Sequence, residues 1–497
     1  MTTVHALKKS AGVGFFFAAI AAIGLLRPLA AAGQACGGFC SALQTAYGNL
    51  ALNGNGGAEN SAFGDNALGG NSGGDNTAVG LFTLLNNSGS DNTAMGVDAL
   101  ENNAGSDNTA DGFEALQSGN SGARNTATGS KALNGNTTGN SNTGMGVDAL
   151  VFNSGGSNNT AIGDDALRNN NANNNTAVGA TALESNSTGV ANTATGVAAL
   201  LNNSSGNDNT AIGFNALESN VADNNTAVGA TALESNSTGV ENTATGVAAL
   251  LSNSSGNDNT AVGFHALEFN VGGIQNTALG SASLIRNTAS NNTAAGFSAL
   301  RFNTIGTQNT ATGVGALNAN VSGSFNTATG VNALNTNVAG RYNTAIGTNA
   351  LLFATTFNNT AVGTNALLKA TIGTNNTALG ASAGFNVTTG SNNIEIGNNG
   401  VATDSQTIRI GVPGVQTGVF IAGIRGIGVI GPDVTVNANG QLGVLPSSAR
   451  FKRDIHDMGE ASSKLMRLRP VSFRYKNDSQ GAMQYGLVAE EVERVYP

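Results

Sequence analysis

Hydrophobic and polar positions along most of this chain repeat one short word. Asn-Thr-Ala-x-Gly, or a near variant, occurs twenty times from Asn60 to Asn376, at intervals of 16 or 17 residues. The fuller consensus is N-T-A-x-G-x-x-A-L-x-x-N followed by a Ser/Asn/Gly turn, with degenerate copies at Gln44 and Asn393. Residues 175–220 and 225–270 agree at 41 of 46 positions, which marks a duplication of three repeats. Helical solenoids use units of about 33 residues or more, and the unit here is too short and too rich in Asn, Gly and Thr for helices. Thr-Ala-x alternates and predicts a short strand, and Ala-Leu further on predicts a second. Asn-Ser-Gly segments predict corners, because Asn and Gly tolerate left-handed backbone.

One repeat is therefore one coil of a parallel β-structure. Coils stacked about 4.8 Å apart would make a rod on the order of 100 Å long. Stacking puts like residues above one another, so the leading Asn predicts a ladder of amide hydrogen bonds. The apolar content of a coil is thin: two Ala, one Leu and often a Val, Ile or Met. Ordering costs about 1–2 kcal/mol per residue, so an isolated coil cannot fold and stacking must supply the stability. Two architectures satisfy the pattern, a single-chain β-solenoid and a β-roll built by three chains.

Composition narrows the function. Charged residues are 10% of the chain against about 25% in ordinary globular proteins, Gly is 70 of 497, and Trp is absent. Three His and two Cys leave little for metal sites or catalytic dyads, and no metal or cofactor is expected. Residues 28–446 carry nine basic and 23 acidic groups, so this body repels phosphate backbones and argues against nucleic acid. Lys8 and Lys9, an apolar run from Ala11 to Leu26 and small residues through Ala32 and Ala35 read as a signal peptide over 1–35, cleaved after one of those two alanines. The run is short for a membrane span, so the expectation is an exported protein without one after cleavage. Export favours oxidised thiols; Cys36 and Cys40 would close a local disulfide in a cap over 36–59, free thiols being the alternative.

Past the array (60–390) the repeat dissolves into a β-rich neck, 391–446, with strands expected at Thr407–Ile410, Val419–Ala422 and Val434–Val436. Residues 447–497 are of another kind, with nine basic and seven acidic groups. They predict a short helix from Gly459 stopped before Pro470, a strand from Val471 to Lys476 and a second helix from Glu490.

Two resemblances follow from these words. The N-T-A-x-G coils resemble the head repeats of trimeric autotransporter adhesins, which implies a three-chain β-roll. The tail, with Ser447, Arg450 and Lys452, then L-R-P-V-x-F-x-Y-K and Y-G-L-x-A-E-E-V, resembles the intramolecular chaperone auto-processing domain of phage tail spikes and endosialidases. That resemblance implies a domain that assembles three chains into a fibre and cuts itself off between Pro446 and Ser447. Ser447 would be the nucleophile, Lys452 the base and Arg450 a supporting cation. The lysine must be neutral to accept a proton, which neighbouring cations such as Arg450 and Arg453 favour.

The reading that results is an exported fibrous surface or tail-fibre-like rod, a homotrimer carrying an unidentified glycan or protein ligand. Two other classes find little support in the sequence. A polysaccharide-active solenoid needs paired carboxylates; Asp164 and Asp165 are the only adjacent pair in the repeats, without an evident basic partner. An ice-binding face needs a Thr ladder, and Thr-x-Thr occurs only in scattered coils, as at Thr193 and Thr195. His265, which replaces Asn215 of the duplicated block, and His456 have no assigned chemistry.

Overall fold

The computed structural model describes residues 44–421, 434–437, 440–444, 452–474 and 483–497. The signal segment, Cys36, Cys40, Pro446, Ser447 and Arg450 lie outside the described residues. The fold is mainly β. Twenty-three strands of three residues, β1 (Thr45–Tyr47) to β23 (Ile408–Ile410), form one sheet in which each strand pairs parallel with its successor. There is one such strand per coil, in unbroken register: Thr193 faces Thr176 and Thr210, and Ala194 faces Ala177 and Ala211. Between residues 60 and 390 no helix interrupts the array.

Period two decides what each strand buries. In Thr193–Thr195 the central Ala194 points inward and is fully buried, while both threonines face out. The far side of the coil adds Ala199 and Leu200, also fully buried. Two alanines and a leucine thus form the core of nearly every coil, and the leucine supplies most of the apolar burial, about 1.5–3 kcal/mol apiece. The variable residue x, part of the coil's thin apolar content, is on the outside. Met95 is 50% exposed and Leu279 53%.

The expected second strand at Ala-Leu is absent; that stretch is a run of turns. Ala198 and Leu200 both have left-handed backbone, with φ of 56° and 53°, and the same alternation recurs in coil after coil. It makes the amides of these two residues point in opposite axial directions. Ala198 N–H donates to Ala180 of the preceding coil at 3.1 Å, and Leu200 N–H to Ala216 of the next at 3.0 Å. A left-handed leucine costs about 1–2 kcal/mol, offset by burying its side chain and pairing its amide.

The Gly of Asn-Thr-Ala-x-Gly is required twice over. Gly213 has φ of +140°, and a Cβ there would lie 2.5 Å from the carbonyl oxygen of Gly229 in the next coil. The predicted Asn ladder is present and is double. Asn209 receives its backbone and side-chain partner in Asn192 Oδ1, at 3.0 and 3.2 Å, and donates from Nδ2 to Ala222 O at 2.8 Å. The Asn closing the consensus forms a second buried column: Asn203 Nδ2 donates to Asn186 Oδ1 at 3.0 Å and to Gly206 O at 2.8 Å. These amides satisfy the backbone groups that the corners leave unpaired inside the coil. The second column ends at Asn337, whose Oδ1 has no partner among the described residues, because the next coils place Ala354, Ala370 and Val387 there.

Beyond β23, Val419–Ile421 form no strand, and Ala422 lies outside the described residues. Phe420 is 98% exposed, so this alternating stretch has nothing to bury its face against. β24 (Val434–Val436) and β25 (Leu442–Val444) make an antiparallel pair. The tail holds a 3-10 helix over Gly459–Arg467, an antiparallel pair β26 (Val471–Phe473) and β27 (Gln484–Gly486), and helix α1 (Ala489–Val495).

Candidate functional site

Three places bear on function. The first is the outward face of the strands. Period two sets Thr at the first strand position in every coil from Thr77 to Thr377, an unbroken column that a search for Thr-x-Thr alone misses. Beside it run x and the residue after the Gly. Both are often apolar and exposed, as at Met95 with Val97, Ile212 with Phe214, and Val247. Where x is Thr in the later coils, a valine follows the Gly: Thr195 with Val197, Thr245 with Val247, Thr312 with Val314. The signal that could have located this face is the alternation itself, since an inward Ala forces its two neighbours out.

The second place is the end of the sheet. β22 (Ile394–Ile396) sets Glu395 where nearly every earlier coil has Ala, with Ala378 before it and Arg409 after it in register. Glu395 is fully buried, and neither carboxylate oxygen has a hydrogen-bond partner among the described residues. Burial, and secondly the charge of Asp404, push its pKa up to about 7, against the opposing pull of Arg409. Arg409 grips Asp404 with two hydrogen bonds of 2.7 Å, which hold that carboxyl below its ordinary range. Val401 N–H donates a third at 2.7 Å. Glu395 and Arg409 thus take the place of the strand alanine in the last two coils, and with Asp404 they close that column with polar groups.

The third place is the tail. Lys452, the proposed base, is exposed; its partners in the predicted constellation, Ser447 and Arg450, lie outside the described residues. Arg453 approaches Asp454 at 3.8 Å with both side chains in solvent, a contact of little energetic weight. The two motif words, in contrast, are joined. Arg469 of L-R-P-V donates to Glu491 of A-E-E-V from Nη2 at 2.6 Å and from Nε at 3.0 Å, and this guanidinium holds the Glu491 carboxyl below its usual range. A separation of 22 positions hid this pair from the sequence reading. Lys464 sits 5.7 Å from the centre of the Tyr496 ring, bringing the 3-10 helix to the end of α1.

The remaining candidates resolve simply. Asp165 does have a basic partner, Arg168 Nε at 3.4 Å, three residues on, so the Asp164-Asp165 pair is part of a surface ion pair. His265 Nδ1 is 2.8 Å from Glu268 on the outside of its coil, and His456 is exposed. Among the described residues no three His, Cys, Asp or Glu side chains gather as a metal site, and no helix is long and apolar enough to cross a membrane.

Comparison with known proteins gives one match. Residues 447–497 fit the family model described as chaperone of endosialidase, so a domain of that kind is present at this end of the chain. No curated protein and no solved structure matches the chain.

Proposed function

We propose that this protein is an exported fibrous rod of surface or tail-fibre type, assembled as a homotrimer by its C-terminal domain, which then severs itself from the rod. The observation that carries the reading is the pairing of two parts. A long β-solenoid with an apolar outer face is followed by a segment matching the chaperone of endosialidase family. The rod would present a glycan or protein ligand site on its outer faces, after removal of residues 1–35.

The cut follows from the tail's residues. Ser447 Oγ adds to the Pro446 carbonyl carbon as neutral Lys452 takes its proton. The Pro446–Ser447 C–N bond breaks, and the lysine returns the proton to the freed amine of Ser447. Water then hydrolyses the ester left on Oγ, releasing the rod with a C-terminal carboxylate.

The test is the mass of the full chain under native and denaturing conditions. Three rods together and a released fragment of residues 447–497 are expected; an intact monomer would refute both assembly and cleavage. A second reading, a single-chain structural rod with an inert tail, has its own support. Each coil already closes its Ala-Leu core within one chain.

A further inference from the structure

We infer that the strand face is the surface on which copies of this chain pack, and that the C-terminal domain is needed because the face cannot choose its own register. The inference rests on the proposed assembly and names the surface that assembly uses.

From β7 (Thr143–Met145) to β21 (Thr377–Leu379), every coil places at least one apolar side chain at x or after the Gly. Fifteen coils at about 4.8 Å, and a face four or five residues wide at about 3.3 Å each, give on the order of 1,000 Å². That whole face, its Thr column included, exceeds the roughly 800 Å² that each partner contributes to a stable interface.

Charge identifies the occupant. From Thr176 to Ala381 neither of these two columns nor the Thr column holds a charged side chain. The acids of the same stretch, Glu184, Asp208, Glu218, Asp223 and Glu234 among them, sit on other parts of the coil. A body as acidic as this repels its own copies least along a charge-free stripe. Two copies also share one coil-to-coil interval, so Thr and apolar columns meet their counterparts along the whole length. A foreign partner would have to reproduce that interval.

The same sameness creates a difficulty. Shifting one copy by a whole coil re-forms an almost equal set of contacts, because Thr recurs in every coil and Val, Ile, Leu and Phe stand in for one another. Strands without a distinctive pattern are prone to such slippage. A domain that brings the three chain ends together before the rods pack would impose zero offset.

The test uses the full chain with Val197→Lys, Phe214→Lys and Val247→Lys together. All three side chains point outward, so the coils keep their cores. A control carries Ser187→Lys, Ser205→Lys and Ser237→Lys, at exposed positions away from the strands. Sedimentation should show the face variant dissociating at concentrations roughly 100-fold higher than the wild type, since like charges meet across the interface. Its circular dichroism should be unchanged and the control should stay assembled. A face variant that assembles as tightly as a trimeric wild type overturns this inference alone. A monomeric wild type overturns the proposed assembly with it.

Discussion

Glu395 makes the end of the rod sensitive to pH, with a sign that follows from its burial. Its pKa in the fold is about 7, against an ordinary value of 4.5. The folded state therefore holds this proton more tightly than the unfolded one. The stability contributed by neutral Glu395 is fully present below pH 4.5 and is lost as pH rises through about 7. The shift corresponds to about 3 kcal/mol at 1.36 kcal/mol per unit. Because only one further strand, β23, lies between β22 and the end of the sheet, screening brings this nearer 2 kcal/mol, or roughly a 30-fold change in local opening. The reporters are amides that tie the last coils: Ile394 to Thr407 O at 2.9 Å and Gly411 to Ile396 O at 2.8 Å. Hydrogen exchange corrected for its intrinsic pH dependence should show these amides about 30-fold less protected at pH 8 than at pH 5. Leu317 and Leu334, several coils away, should not change. Glu395→Gln keeps the shape and removes the titration, so its profile should be flat. Equal protection of the wild type at both pH values, or the same fall in Glu395→Gln, would sink the argument.

Other expectations follow from single coils. Gly213→Ala should cost about 3 kcal/mol or more, since the new methyl meets backbone at 2.5 Å and the φ is left-handed; a lowered melting temperature checks it. Asn209→Ala strips partners from the Asn225 amide and the Ala222 carbonyl and should cost about 2–4 kcal/mol. Asn337→Ala should cost less, because Asn337 Oδ1 already lacks a partner and the following coil has Ala; parallel melts of the two variants decide. In the tail, Ser447→Ala, Lys452→Ala and Lys452→Arg should each leave the full-length mass intact, arginine failing because it keeps its proton. Wild-type cleavage should quicken as pH rises, since only a neutral amine accepts the serine proton, and a Lys452→Ala variant that still cuts would remove Lys452 from the mechanism.

The coil was legible in the sequence wherever one residue type answers one demand. The recurring Asn announced a ladder, and the recurring Gly a backbone no side chain fits. The Ala-Leu segment was misread because nothing in a leucine announces left-handed backbone. That conformation is imposed by neighbouring coils, which each need an amide pointing toward them. The residue x is often apolar, yet the alternation about Ala places it outside. Glu395 drew no notice as a lone acid, since its burial depends on the register that sets it in the Ala column. Arg469 and Glu491 were each visible within a motif; their contact required the β26–β27 pair to bring the segments together.

Each coil touches only the coil before and the coil after, so whole coils can be copied without disturbing any packing already made. The two duplicated blocks record what happens next. Their five differences, Ala191 to Glu241, Asn202 to Ser252, Ile212 to Val262, Asn215 to His265 and Ser219 to Phe269, all fall at positions that are not buried. Recombination within such a gene sets reach in steps of about 4.8 Å, while point mutation rewrites the exterior. Reach and exterior are thus inherited as separate traits, and a lineage can lengthen its rod in one event and diversify the copied surface afterwards.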